Sequence, residues 1–280
     1  MMGDLPGPPL SAEEQRLLRD VIREHSGIDF RDDARYLLQR RLRPRLEALG
    51  LPSYAAYHRY LATDPDRGAE LERLVELVTT HETYFFREPA SLEAFQGEIL
   101  PELHATKKAS RRLTVWSAGC STGEEAYTIA ILIVESGRFA GWDVRVFGND
   151  ISRRVLAVAR AATYGRASFR ATDERLRARY FHEVDGKHVV SSEIRALVSF
   201  GHGNLLDENM LAIVGEVDVI FCRNVLMYFD VATRRRVVAA LYKRLARGGT
   251  LILGHSESLL NLTTAFELVH LPTDMVYRKP

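Results

Sequence analysis

The first residues whose types and spacing suggest chemistry lie in the run Val115-Trp-Ser-Ala-Gly-Cys-Ser-Thr-Gly-Glu-Glu125. Gly119 and Gly123 can take backbone angles closed to other residues and let a ligand approach the chain closely. A glycine-rich loop that opens a helix offers free N–H groups and the positive end of a dipole, which suits a carboxylate or a phosphate. The run lacks the GK[ST] ending of a phosphate-binding P-loop, and Glu124 and Glu125 would repel a pyrophosphate. They would attract an ammonium group instead. Asn149-Asp150 follows, with Asp150 27 residues after Gly123, somewhat beyond the interval of about 20 usual for a ribose-binding acid. An acid at this point can accept both ribose hydroxyls and repels a 2′-phosphate, which disfavours NADP.

Each of these features also has a plainer reading. The glycines can serve an ordinary strand-to-helix turn, and Asp150 can open a helix near Ser152. Together and in this order they favour an adenosine cofactor with an ammonium end, such as S-adenosylmethionine. Three further segments add polar groups. Gly203-Asn204-Leu205-Leu206 can read an adenine edge and wall its face, or be a simple Asn turn. Asp218-Val-Ile-Phe-Cys-Arg-Asn-Val-Leu-Met-Tyr-Phe229 runs a strand into Arg223-Asn224, at the strand end where open α/β sheets bind ligands. It lacks the Asn/Asp-Pro-Pro-Tyr pattern of amino methyltransferases, which counts against transfer to a nucleobase. His81-Glu-Thr-Tyr-Phe-Phe-Arg-Glu88 sets Thr83 and Arg87 around an aromatic pair, though it also reads as an apolar hinge.

The elements that must position these groups fall into two grammars. Residues 11–80 read as helices alone. Ser11-Ala-Glu-Glu14 is a capping box, followed by apolar residues at helical spacing up to Gly27. A second helix, from about Asp33 to Leu49, carries Arg35, Arg40, Arg41, Arg43 and Arg45, and Pro44 should kink or split it. Two more follow, from Ser53 and from about Gly68. From Leu113 short β-branched runs alternate with helices, which predicts a mostly parallel sheet covered on both faces. The last two strands, near 266–271 and 275–278, have no helix between them, so one sheet edge should be antiparallel. Residues from about 165 to 200 break the alternation and read as a small antiparallel insert. The resulting division is a disordered lead-in at 1–10, a helical domain at 11–80, a linker contributing to the site at 81–90 and an α/β domain at 91–280.

Composition sets bounds. The chain has 280 residues, 46% hydrophobic and 27% charged, with net charge +1, in the ordinary globular range. The apolar run at 126–134 is well short of the roughly 20 residues that span a bilayer, and the N-terminus does not read as a secretory signal. Two distant cysteines suggest a reducing cytoplasm and no disulfide framework. The nine histidines form no metal-ligand cluster, so no metal is expected. Cys120 follows the first strand and Cys222 ends the fourth, and they read either as two small buried residues or as thiols near the cofactor open to inhibitory alkylation.

In order, these residues resemble the CheR-type chemoreceptor glutamate methyltransferases. ETYFFRE (82–88), WSAGCSTGEEAY (116–127), IFCRNVLMYF (220–229) and GHSE (254–257) carry the likeness, which spans about residues 10 to 278. It implies a Rossmann-like S-adenosylmethionine-dependent sheet with a small β insert, preceded by an all-α domain. It places Thr83, Arg87, Glu124, Asp150, Asn204, Leu205, Asn224 and Val225 at cofactor-contact positions. His81 joins them, although it stands where the family usually has Asn. Arg87 and Tyr228 match positions assigned to act near the methyl group. The implied product is S-adenosylhomocysteine, and the implied substrate is glutamate on the cytoplasmic helical bundle of chemoreceptors, an acidic surface that the five arginines would face. Some members dock a receptor's C-terminal peptide on the insert. The short Asp185-Gly186 turn argues against such a tether here. Two other readings stay open: a methyltransferase for nucleic acid or a small molecule, and a catalytically silent cofactor-binding signalling module.

Overall fold

The computed structural model describes residues 8–280, and the first seven residues of the expected lead-in lie outside that range. Leu10, assigned from sequence to the same lead-in, is instead buried, and its amide donates to Gln39 Oε1 at 3.1 Å. The chain forms two compact units, residues 8–80 with Tyr228–Asp230, and His81–Met227 with Val231–Pro280.

The first unit is helical: α1 (Ala12–Ser26), α2 (Arg35–Ala48), α3 (Tyr54–Thr63) and α4 (Arg67–Val78). The capping box of α1 forms as expected, with Ser11 and Glu14 satisfying each other's amides, and Gly27 closes the helix at φ 81°. Leu18, Ile22, Leu38, Leu42, Tyr54, Tyr57 and Leu74 are fully buried. Pro44 does not split α2. It removes one amide from the ladder, but Leu38, Leu42 and Leu46 are buried on one stripe around it and hold the helix by packing.

The second unit opens with a helical stretch that the sequence reading missed. It comprises α5 (Pro89–Ala94), a π-helical turn (Phe95–Ile99) and α6 (Leu100–Thr106). Then come β1 (Arg112–Ala118), α7 (Glu124–Glu135), β2 (Asp143–Asp150), α8 (Arg153–Ala161), β3 (Thr163–Tyr164), α9 (Glu174–Tyr180), β4 (Phe181–Val184), β5 (Lys187–Val190), α10 (Ser192–Ala196), β6 (Val198–His202) and α11 (Glu208–Val214). The chain ends with β7 (Val217–Cys222), α12 (Val231–Arg244), β8 (Leu245–Leu253), β9 (Glu267–His270) and β10 (Met275–Arg278).

The main sheet has the order β6-β2-β1-β7-β8-β10-β9. Its first five strands are parallel, and β10 runs antiparallel to both β8 and β9, which is the terminal hairpin expected. The order, with the small sheet set aside, is Rossmann-like in its parallel part, reversing between β1 and β7. Residues 196–200 are a correction to the expected insert. Val198–His202 pair in parallel with Val146–Asp150 and form the edge of the main sheet, while the small sheet is β3-β5-β4 alone. Strand β8 also begins at Leu245, earlier than the glycine pair at 248–249 suggested.

Candidate active site

Strands β1 and β7 are neighbours, but the chain leaves β1 for β2 on one side and β7 for β8 on the other. A crevice opens beyond the carboxyl ends of strands at such a reversal. Gly119 and Gly123 sit there at φ 80° and 93°. A Cβ on Gly119 would lie 2.6 Å from Val225 Cγ2, and one on Gly123 would lie 2.8 Å from Ala159 Cβ, so both positions require glycine. The amides of Gly119 and Cys120 both donate to the Asn149 carbonyl at 2.9 Å.

Asp150 ends β2 and is buried. Its Oδ2 accepts from the Ser121 amide and its Oδ1 from the Ser152 amide, both at 2.9 Å. With the Ile151 amide hydrogen-bonded to it as well, the carboxylate still retains acceptor capacity for a ribose hydroxyl. Burial pushes this carboxyl up from the usual range, against the pull of those amides. Asn149 Oδ1 accepts from Trp116 Nε1 at 2.8 Å, and its Nδ2 donates to the Gly203 carbonyl at 3.0 Å. The Gly203 amide donates to the Asp150 carbonyl, which brings the Asn204–Leu206 turn beside Asp150. Asn204 Oδ1 accepts from the Leu206 amide at 3.0 Å, so the Asn turn considered from sequence forms, and Leu205 is buried behind it.

The two acids of the loop have separate environments. Glu124 is buried, accepting from Thr122 Oγ1 at 2.6 Å and Ser168 Oγ at 3.0 Å, and burial pushes its carboxyl up. Glu125, expected to share the ammonium, is engaged internally. It accepts from Ser117 Oγ at 2.7 Å and pairs with Arg223 Nη1 at 3.2 Å.

Segment 82–88 is anchored by its aromatic pair. The Phe85 ring lies 4.9–5.0 Å from those of Tyr164, Phe169 and Phe181. Its amide donates to the Ser168 carbonyl, and the Phe86 amide donates to Thr128 Oγ1 at 3.2 Å. The His81 carbonyl accepts from Ser121 Oγ at 3.3 Å, and Thr83 is half-buried in the same segment. Arg87 donates one N–H to the Glu82 carbonyl at 2.6 Å, and its Nε lies 3.7 Å from Glu88 Oε1. Arg223 is buried at the end of β7, donates to the Arg87 carbonyl and lies 3.3 Å from Glu88 Oε2. Asn224 Nδ2 donates to Glu88 Oε1 at 3.1 Å. Phe86, Glu88, Ser121 and Asn224 all have φ between 50° and 58°. Left-handed non-glycine residues gathered in this way are a mark of functional sites.

Tyr228 groups with the helical unit. The Asp29 amide donates to its carbonyl at 2.8 Å, and Ile28 forms a bridge with Phe229. Among the residues given no role from sequence, Glu88, Arg223 and Glu257 matter most. An arginine closing the apolar strand Val217–Cys222 must find carboxylates when buried, and that was the available signal.

A family model described as "CheR methyltransferase, SAM binding domain" matches residues 81–275, and one described as "CheR methyltransferase, all-alpha domain" matches residues 13–79. The chain belongs to the CheR methyltransferase family. "Chemotaxis protein methyltransferase 2" of Vibrio cholerae is 33% identical over 94% of this chain and 91% of its own length. "Chemotaxis protein methyltransferase 1" of Pseudomonas aeruginosa is 32% identical over 94% and 96%. "Probable biofilm formation methyltransferase WspC" of Pseudomonas putida is 37% identical over 88% of this chain, which spans 57% of that protein.

This CheR-family chain is thus an S-adenosylmethionine-dependent methyltransferase. The site's chemistry fits that cofactor. The glycine turn at 119–123 packs tightly on Val225 and Ala159 beside Asp150, Asp150 keeps acceptor capacity for hydroxyls, and buried Glu124 offers an acceptor for an ammonium. Among the described residues no group of three or more His, Cys, Asp or Glu is placed to hold a metal ion, and no helix is long and apolar enough to cross a membrane. Cys120 lies two residues beyond β1 and Cys222 ends the neighbouring strand β7. Both are buried, and burial pushes both thiols well up, so little thiolate is present for the alkylation expected from sequence.

The arginine helix of this family member divides by environment. Arg45 makes a two-armed ion pair with buried Glu70, which also accepts from Tyr57 Oη at 2.7 Å. Arg43 pairs with Glu47 at 2.8 Å on its own helix. Arg41 donates to the Val78 carbonyl and to Thr80 Oγ1. Arg35 and Arg40 are exposed. Arg45 in particular serves the interior of the helical unit, because a buried Glu70 requires a cation.

Proposed function

We propose that this enzyme esterifies glutamate side chains on the cytoplasmic helical bundle of a chemoreceptor, in chemotaxis-type signal adaptation within the cytoplasm. The observation that carries the reading is the different state of two arginines. Arg223 is buried between Glu88 and Glu125, whereas half-buried Arg87 spends Nη1 on the Glu82 carbonyl, lies 3.7 Å from Glu88 through Nε, and keeps its Nη2 end for an incoming acid. The names of the Vibrio cholerae and Pseudomonas aeruginosa relatives support a role in chemotaxis.

A glutamate, with a pKa of about 4.3, is already ionised at neutral pH. The reaction therefore needs alignment and removal of water more than a general base. S-adenosylmethionine supplies an electrophilic methyl on a sulfonium. Glu124 holds the ammonium end, Asp150 the ribose hydroxyls, Asn204 the adenine edge and Leu205 its face. His81, Thr83, Asn224 and Val225 line the remainder. Arg87 orients the acceptor carboxylate, and the Tyr228 hydroxyl holds the reacting groups in line. Positioning of this kind lowers a barrier by up to roughly 7–11 kcal/mol. Arg35 and Arg40 are the members of the basic set best placed by exposure to meet an acidic helical surface.

The small sheet enters the reading without a tether. Its β4–β5 hairpin turns through Asp185 and Gly186 alone, a two-residue loop.

Incubation with receptor-containing membranes and methyl-labelled S-adenosylmethionine tests the whole. Label should enter the receptor and leave as methanol in mild base, as a methyl ester requires. Label that survives base, or that enters nucleic acid, refutes the substrate.

A further inference from the structure

The GHSE motif lies outside the cofactor loop, yet it reaches the same pocket. Glu257 Oε2 accepts from the Asn224 amide at 2.7 Å and the Gly254 amide at 3.0 Å, while Oε1 accepts from the Met227 amide at 3.1 Å. One carboxylate therefore takes up main-chain donors from two separate segments. Gly254 permits the approach, since a Cβ there would lie 2.8 Å from the Asn224 amide nitrogen, from Asn224 Nδ2 and from Glu257 Oε2.

Glu88 closes on Asn224 from another segment. Its Oε1 accepts from Asn224 Nδ2 at 3.1 Å, and its Oε2 accepts from the His255 amide at 3.1 Å. Burial alone would raise the Glu88 carboxyl, but the Arg223 charge and these bonds hold it below the usual range, so it stays an acceptor. Asn224 itself has φ 58°, a conformation that persists only where its surroundings impose it. With its amide nitrogen engaged by Glu88, its side-chain oxygen is the end left to accept from a ligand.

We propose that Glu88 and Glu257 are positioning residues that clamp Asn224, so that its amide oxygen faces the ammonium of the methionyl end of the cofactor. The inference rests on the reading of Asn224 as a cofactor contact. Glutamine at either position keeps the shape but turns an NH₂ toward a donor. In Glu257→Gln that donor is a main-chain amide. In Glu88→Gln it is the Asn224 or His255 N–H, which frees the Asn224 amide to flip.

The test is calorimetry with S-adenosylhomocysteine and with 5′-methylthioadenosine, which lacks the amino-acid end. Both glutamine variants should bind S-adenosylhomocysteine about tenfold more weakly, the worth of one hydrogen bond to a charged group. They should bind 5′-methylthioadenosine within about twofold of wild type. Gly254→Ala keeps both carboxylates in the sequence but drives its Cβ against Asn224 and Glu257 Oε2, and it should show the same selectivity loss. It carries the test if a glutamine variant fails to fold. Equal weakening of both ligands, or no weakening of either, overturns the proposal. No acceptor is used, so an error in the glutamate assignment leaves this result readable. Failure of wild type to bind S-adenosylhomocysteine would instead remove the reading beneath it.

Discussion

Asp150 and Glu124 are held as acceptors in surroundings that favour their neutral forms. Burial raises both carboxyl pKa values, and the hydrogen bonds each accepts offset only part of that rise. A raised pKa means the proton is taken up at a higher pH than for an ordinary carboxyl. The ionised form is the one that accepts from ribose hydroxyls and an ammonium. Affinity for S-adenosylhomocysteine should therefore be full at neutral pH and fall on acidification, starting above the ordinary carboxylate value of about 4. Calorimetry across that range checks this, and an affinity that stays constant down to the ordinary value contradicts it. These two residues were legible in the sequence because a glycine loop and a strand-end acid keep their order and spacing. The roles of Glu88, Arg223 and Glu257 were not, because Glu88 pairs with Arg223 across 135 residues and Glu257 takes main-chain amides of Asn224 and Met227 from a distant segment. Pairing at that range leaves no local pattern.

Among the elements, segment 82–88 depends on the insert more than its sequence suggests. Phe85 is fully buried and its ring touches aromatic residues of β3, of β4 and of the turn that contains Phe169. Phe85→Ala should cost roughly 3–5 kcal/mol of stability, the usual cost of deleting a buried phenyl ring. Denaturant unfolding measures it, and a loss below about 1 kcal/mol would show that this cluster does not anchor the segment. The alternation of strands and helices made most of the sheet legible. Strand β6 was assigned to the wrong sheet because it is a short, half-exposed edge, and its parallel partner β2 lies far back in the chain. The helical stretch from Pro89 to Thr106 was not assigned from sequence, and it contains Pro89, Gly97 and Pro101, residues that disfavour a regular helix. Pro89 in fact sits in a first helical turn, and the stretch passes from α-helix to a π turn and back.

For the molecule as a whole, a net charge of +1 conceals how the arginines are used. Buried Arg223 pairs with half-buried carboxylates in one unit and Arg45 with buried Glu70 in the other, while Arg35 and Arg40 remain on the surface. That division could not be read from composition, since it depends on which carboxylates folding buries. The sheet reversal between β1 and β7 gathers the glycine loop, Asp150 and Asn224 at one edge, and every assigned role assumes that S-adenosylmethionine binds there. Isothermal calorimetry of the intact chain with S-adenosylmethionine and S-adenosylhomocysteine tests this most directly. Saturable heat with one site for each ligand is expected, with loss of most of that affinity in Asp150→Ala. No heat with either ligand, or unchanged affinity in Asp150→Ala, would contradict it.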